Sequence, residues 1–362
     1  MTRRLRAPLL AAALLLGVAA LLFSSAEGVR PARVRAGPSF PRWLRHEERE
    51  RLVARQTLPR PPPAPEAAGE PDEPEPPPRD PFLLALPRDP AKALVVLEAN
   101  ALRHSRLGEL FVDCVVRRGE RDPFEEVRRK MGIDPLKDLD RVAVTPEGVI
   151  LFGFLDRART DALADWRVTG RGAHGRIWVP RRTGADAPAF GAWRGEIIVL
   201  GTPAFVESTL DRLDGGASEG PVLIPEELTY GEAYGVVPGA ALESLFPGDQ
   251  AELGRRFARA ASRIELHADA MRDVAVVARV SGADAAAVED LGTALGAALA
   301  VARLQAAAGG HRELYELLEH ARVARGGAEG FSLELALPIE IVERWFAGCT
   351  GARPAAGPEP VR

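Results

Sequence analysis

The sequence predicts an α+β fold: an internally duplicated unit of mostly antiparallel sheet with packed helices, preceded by an N-terminal membrane helix or signal peptide and a proline-rich linker. Three observations predict it. Short runs rich in valine, isoleucine and leucine alternate with stretches of helical apolar spacing, and the short links between those runs favour antiparallel pairing. The succession of strands and helices in the first half recurs in the second. Ahead of both lie an uncharged run and a proline-dense stretch with no hydrophobic set to bury.

The chain opens with Arg3, Arg4 and Arg6, followed by Ala7 to Ala26, an uncharged Leu/Ala-rich run of 20 residues. That is long enough to span a bilayer as a helix, and Ser24-Ser25-Ala26 also suits cleavage of a signal peptide. No cysteine follows the run, which argues against a lipid-modified N-terminus. Arg30, Arg33, Arg35, Arg42 and Arg45 follow it and weigh against export by the positive-inside rule. A six-residue basic leader before a short apolar run is nonetheless export geometry, so the folded region is expected in the periplasm. It is either anchored in the inner membrane through the N-terminal segment or secreted.

Residues 27–81 are expected to be an unfolded linker. Pro59 to Pro81 holds 11 prolines in 23 residues, a composition that stays extended as polyproline II. Residues 82–220 and 221–350 are the two expected repeats, and residues 351–362 a tail. In the first repeat the pattern predicts strand Ala93–Leu97 and helices Ala101–Arg118 and Pro123–Met131. Strands Arg141–Val144 and Val149–Leu155 flank the turn Thr145-Pro146-Glu147-Gly148. Strands Arg176–Pro180, Phe190–Trp193 and Glu196–Leu200 follow, and helix Pro203–Leu213 ends the unit. The second repeat predicts strand Glu232–Val237, helices Ala240–Phe246 and Ala251–Ala261, and the strand pair Arg263–Ala268 and Val274–Val280. Helices Ala283–Ala307 and His311–Glu319, strands Ala321–Arg325 and Phe331–Leu337, and helix Ile339–Phe346 complete it.

Residues, not only element order, carry the duplication. Ala93-x-x-Val96 with Ala101-Leu102 matches Ala233-x-x-Val236 with Ala241-Leu242. His174-Gly-Arg-Ile matches His320-Ala-Arg-Val. Gly195 and Gly330 each stand eight residues before a proline, Pro203 and Pro338, that opens a last helix. The stretch Gly132-Ile-Asp-Pro-Leu-Lys-Asp-Leu-Asp140, leading into strand Arg141–Val144, resembles one that recurs in duplicated α+β cell-envelope proteins of high-GC bacteria. The likeness runs from about Pro87 to Phe346. It implies envelope location and internal duplication, and no reaction or functional residues.

Composition excludes some classes. The formal net charge is −4, with 47 basic and 51 acidic residues, so no global field draws nucleic acid. Only Lys92, Lys130 and Lys137 are lysines, an arginine bias that fits GC-rich codons better than phosphate binding. Cys114 and Cys349 form no zinc spacing. An even count permits one disulfide, but Cys114 shares a helical stripe with Leu107, Leu110 and Phe111, which predicts a buried free thiol.

Tempting motifs dissolve on inspection. Gly170-Arg-Gly172-Ala-His-Gly175 spells G-x-G-x-x-G, but strand residues Ile177 and Val179 follow where a dinucleotide site needs a helix, so a loop is expected. Asp134, Asp138 and Asp140 suit a cap and turn better than calcium. Gly292 and Gly296 lie in an uncharged stretch, Leu291 to Ala302, too short to span a bilayer, and predict close packing on the sheet. No nucleophile motif or histidine cluster selects an active site, and neither a cofactor nor a metal is expected. The candidate binding surface is Arg176, Trp178, Arg181 and Arg182, with Arg171 nearby. Strand alternation puts Arg176 and Trp178 on one face, where an arginine beside an exposed tryptophan suits anionic lipid, polysaccharide or a partner protein. The function this predicts is an envelope-tethered binding or scaffolding module for a protein or ligand of the envelope, without catalytic activity. The alternatives are a hydrolase or transferase with dispersed residues, and a carrier of an apolar ligand.

Overall fold

In the computed structural model, residues 80–118, 123–156, 158, 163, 166–181, 187–216, 220–225, 228–242, 251–310, 312–325 and 330–350 are described. The expected membrane-targeting run, the expected linker up to residue 79 and the expected tail lie outside them, whereas Asp80 and Pro81, expected in the linker, belong to the fold because they cap and open its first helix.

Helix α1 (Pro81–Ala85) starts the described chain. Asp80 caps it by accepting from the Phe82 amide at 2.9 Å, with proline at the first helical position. Then come β1 (Leu94–Leu97), α2 (Ala99–Arg103), α3 (Arg106–Arg118) and α4 (Pro123–Met131). The expected helix Ala101–Arg118 is thus two. Ser105 breaks it, donating to the Leu102 carbonyl at 2.7 Å and accepting from the Gly108 amide at 3.1 Å.

Four hairpin strands follow in two pairs, β2 (Leu139–Val144) with β3 (Gly148–Gly153), and β4 (Trp166–Arg171) with β5 (Gly175–Pro180). Thr145 closes the first turn through its hydroxyl and the Gly148 backbone. The second turn is where G-x-G-x-x-G lies, with Gly172 at φ 59°, as its loop reading requires. Strand β4 was not foreseen. The unit ends with β6 (Ala189–Trp193), β7 (Ile197–Gly201) and α5 (Pro203–Leu213), capped by Thr202.

The second half runs β8 (Ala233–Pro238), α6 (Gly239–Leu242), α7 (Ala251–Ala260), β9 (Arg263–Asp269) and β10 (Val274–Ser281). It continues with α8 (Ala285–Gly309), α9 (Arg312–Glu319), β11 (Ala321–Arg325), β12 (Gly330–Leu337) and α10 (Ile339–Thr350).

All strands join one antiparallel sheet of 12, in the order β11-β12-β10-β9-β8-β1-β2-β3-β7-β6-β5-β4. Read outward from the central β1–β8 pair, one side is β1-β2-β3-β7-β6 and the other β8-β9-β10-β12-β11. Strands β4 and β5 extend the first half where the second has α8 and α9. This order corrects one sequence match. Strand β11 pairs with β12 as β6 pairs with β7, so His320, just before β11, has no positional equivalence to His174 in the β4–β5 turn. Pro203 and Pro338 do follow matching strands, but their helices diverge. Packing of Val206 and Leu210 against Gly191 and Gly175 puts α5 on the front face, the one that carries Val96 and Tyr234. Helix α10 packs on the back, with Val342 clustered among Leu335, Leu337 and Leu110 of α3.

Helix α3 therefore crosses from the first half to join the back layer of the second. Arg106 on α3 pairs with Glu343 on α10 at 2.7 Å. Cys114 is disulfide-bonded, not the expected free thiol, and the sequence holds one other cysteine, Cys349. The apolar stripe misled because only part of it is buried: Leu110 is 7% exposed but Phe111 49%. The count assigns the bond to α3 and α10, where it closes a loop containing most of the domain. Chain entropy gives such a bond about 5 kcal/mol, or a melting-temperature change of about 10 °C in a domain of this size. Cys114→Ala is expected to lower the melting temperature by that order, and reductant should lower the parent's equally. A parent whose melting is unmoved by reductant would show the bond to be energetically idle.

Candidate functional site

Directly paired residues of an antiparallel sheet share a face. On the front face one continuous row crosses all strands: Thr169, Ile177, Gly191, Val199, Ile150 and Ala143 lead to Val96. It continues through Tyr234, His267, Val277 and Glu334 to Arg322. From Ile177 to Val96 the row is apolar and covered by α1 and α5, with Leu223 and Ile224 adding to the cluster, while Thr169 at the edge is exposed. The second-half part is polar and held by ion pairs, Arg322–Glu334 at 2.7 Å and Arg263–Glu265 at 3.0 Å.

Where the two parts meet, charged groups are buried. Arg141 is 4% exposed, forked onto Asp80 at 2.5 and 3.1 Å and sandwiched between the rings of Phe82 and Phe152. Burial works against its charge, but the Asp80 hydrogen bond and carboxylate more than offset that, so its pKa is raised. The Tyr234 hydroxyl donates to Glu98 at 2.7 Å, and the buried phenol is pushed up, by burial first and by Glu98 next. Glu232, 3% exposed, accepts from the Ala270 amide at 2.6 Å. Burial raises its pKa to about 7 against that hydrogen bond. His267 is 6% exposed and stacks on Tyr230 with centroids 3.9 Å apart, and burial lowers its pKa to about 4. Its Nε2 finds no partner among the described residues.

This centre can hold or release a proton at Glu232 near neutral pH, but it lies under α1 and the chain around Tyr230, not in a cleft. No position in it was singled out by the sequence. The available signal was a charged residue next to a strand: Glu98 after β1, Glu232 before β8 and Arg141 within β2.

The predicted surface fares differently. Arg176 is exposed and shares its face with Trp178, as alternation requires. Trp178, however, is 8% exposed, set edge-on to Phe190 at 5.3 Å in a cluster with Ile133 and Leu155. The tryptophan is core because this part of the sheet is covered on both faces, so an exposed Arg–Trp pair does not form. Arg181 is exposed in the turn after β5, and Arg182 lies outside the described residues. Arg171 is spent on Asp211 of α5, in a fork at 2.7 and 2.7 Å. Asp134 and Asp138 serve the turn, accepting from the amides of Leu136 and Asp134.

Helix α8 provides the other unusual surface. Asp284 caps its start and Gly310, at φ 84°, its end. Val288, Leu291, Leu299, Ala302 and Ala306 are buried against the back face, and Gly292 lets the Phe331 ring approach, since a Cβ there would lie 2.9 Å from it. A groove of about 380 Å³ remains between Thr293 and Gly296 of α8 and Val323 and Arg325 of β11. The helix is apolar enough to cross a membrane by length and composition, yet only 28% of its most apolar 18-residue window is buried. Its outward face is Thr293, Ala294, Ala297, Ala300, Val301, Leu304, Gln305 and Ala308, with Val301 51% and Leu304 71% exposed. Arg303 turns inward, donating to the carbonyls of Leu318 and Ala321.

The buried centre makes a pH prediction. Glu232 binds its proton more tightly folded than unfolded. Its stabilisation is therefore present below pH 4.5 and lost as pH rises through about 7. His267 binds its proton less tightly when folded, so its stabilisation is present above pH 6.5 and lost as pH falls through about 4. Each is worth about 3 kcal/mol, with opposite slopes that overlap and offset one another. Relative to the parent, Glu232→Gln should therefore gain stability as pH rises from about 4.5 to 7. His267→Phe, which keeps the stacked ring, should lose relative stability over a similar range. Denaturant melts at half-unit pH intervals test this; parent-like profiles in both variants would remove the assignment.

No protein-family model and no curated protein matches the sequence. Among solved structures, crystal form I of TP0453 aligns with a TM-score of 0.41 at 11% identity, covering 75% of this chain and 98% of that one. Crystal form IV of the same protein aligns at 0.36 and 9%, covering 74% and 96%.

Proposed function

We propose that this chain is an envelope-tethered binding module that works by placing the outward stripe of α8 against an apolar surface. The observation that carries the proposal is that stripe: a surface helix ordinarily turns charged residues to water, and α8 turns alanine, valine and leucine. Covering it contributes on the order of 4 kcal/mol, mostly from Val301 and Leu304. The disulfide at Cys114 supports export, since such bonds persist in oxidising compartments. The basic leader and apolar run before the linker support a membrane tether.

A photo-crosslinking side chain at position 304 is expected to give a covalent adduct, to protein or to lipid, in intact cells. Alkaline phosphatase fused after Arg362 is expected to be active in the same cells. Recovery of only solvent-quenched crosslinker would sink the binding reading, and an inactive phosphatase the export reading.

The architecture belongs to the same proposal: two copies of one unit, 82–220 and 221–350, joined edge to edge. The matching strand succession supports it, as does the central register. Leu94 pairs with Val236 and Val96 with Tyr234. Aligning Ala93 with Ala233 makes Leu94 equivalent to Tyr234 and Val96 to Val236, so exchanging the strands maps this pairing onto itself about Val95 and Gly235. Each unit is contiguous in sequence. A circular permutant of residues 80–350 opened at 217–219 should therefore fold with a melting temperature within a few degrees of the parent. Failure to fold would count against two units.

A further inference from the structure

We infer that the surface covered by α8 is the lipid bilayer that holds the chain's own N-terminal segment, with α8 lying in the plane of the interface. This rests on the tethered-module reading above and names its binding surface.

Three observations select lipid over a soluble partner. The first is chemistry. From Leu291 to the end of α8 the outward stripe carries no charge, and its only polar members are Thr293 and Gln305. The charged residues of α8 are Glu289 and Asp290 near its start and the inward-turned Arg303. Near the two ends stand exposed arginines: Arg325, 90% exposed, beside the first turns, and Arg312, 73% exposed, just past Gly310. Each has a carboxylate partner, Glu289 at 3.9 Å and Glu316 at 3.3 Å, and exposed pairs of this kind are weak enough to yield to headgroup phosphates. An apolar stripe bounded by arginines is the pattern of a helix lying in the interface.

The second is strength. Burial of Val301, Leu304 and the neighbouring alanines supports only about millimolar affinity. That is too weak to recruit a dilute partner. It suffices for a surface that a tether presents at an effective concentration of about millimolar.

The third is the length of chain outside the described residues. Between Ala26 and Asp80 the sequence has 53 residues, rich in charge and proline, and a tether of that length leaves α8 within reach of the bilayer.

The test uses the full chain with its native cysteines disulfide-bonded and one added thiol, Leu304→Cys, carrying a nitroxide. A control carries it at Met271, which is 47% exposed in the β9–β10 turn. Both are reconstituted through the N-terminal segment into vesicles of phosphatidylethanolamine and phosphatidylglycerol. Collisions with oxygen, which concentrates in lipid, are compared with collisions with a water-soluble nickel chelate. The ratio at position 304 should rise at least threefold relative to Met271→Cys. Adding Val301→Glu should abolish that rise while leaving the melting temperature unchanged, since position 301 is half exposed. A label at 304 that stays as water-accessible as the control overturns the inference. So does dipolar broadening at 304 that disappears on dilution with unlabelled chain, because a second copy would then be the cover. A protein-only adduct from the crosslinker at position 304 also overturns it while leaving the binding-module reading standing; no adduct at all removes both.

Discussion

The antiparallel pairing of β1 with β8 is the constraint from which most of the molecule follows. Without it there would be two sheets, each with an open edge inviting association. With it, the ends of two central strands become interior, and whatever is adjacent in sequence is buried with them. Glu98 and Glu232 stand at those ends, and the Glu98 amide donates to the Glu232 carbonyl at 2.8 Å. The polar centre is thus a consequence of joining halves at their edges. The Tyr234 hydroxyl and the Ala270 amide satisfy the carboxylates that the join would otherwise strand, and Arg141, forked onto Asp80, adds a positive charge near Glu98.

The same join explains how the halves differ in cover. Helix α5 folds over the front of the first half because glycines at 175 and 191 leave room for Leu210 and Val206. The front of the second half carries Glu265, Arg279 and Glu334, which could not accept an apolar helix. Its last helix goes to the back instead, where α3 from the first half already lies, and the disulfide and the Arg106–Glu343 pair fix it there. With α3, α9 and α10 crowding the back, α8 buries one stripe and turns the opposite one to solvent.

Much of this was legible in residues. Pro203 marks a helix start by chemistry that acts within one turn, so that limit read correctly, whereas the helix expected over Ala283–Ala307 is Ala285–Gly309, set by Asp284 and Gly310 as its caps. The turns at Thr145–Gly148 and Gly172 read correctly for the same reason. What failed depended on partners distant in sequence. Trp178 alternates with Ile177 as a half-exposed strand should, and only the cover from Ile133 and Leu155 makes it core. Strand β4, Trp-Arg-Val-Thr-Gly-Arg, is an edge with four exposed residues and no apolar alternation to announce it. The His174–His320 match was drawn from neighbouring residues alone, and strand order, a property of the whole sheet, dissolves it. The exposure of α8 escaped likewise, because an apolar helix reads the same whether one stripe or all of it is covered.

The linker's junction with the domain bears on how so weak a surface could act. Asp80, next to last in the proline-dense stretch, caps α1 and forks onto Arg141 in β2, next to the central pair. Phe82 and Ala85 are fully buried just beyond it. Removing one partner of such a buried pair leaves a stranded charge, which costs several kcal/mol, so the junction is far firmer than the α8 contact proposed above. On the tethered-module proposal, strain along the tether would reach the middle of the sheet, not an edge strand that could peel. On that proposal a firm mooring and a weak, uncharged stripe would divide the work: the first would fix how far the domain can stray, and the second only which side it turns toward the surface.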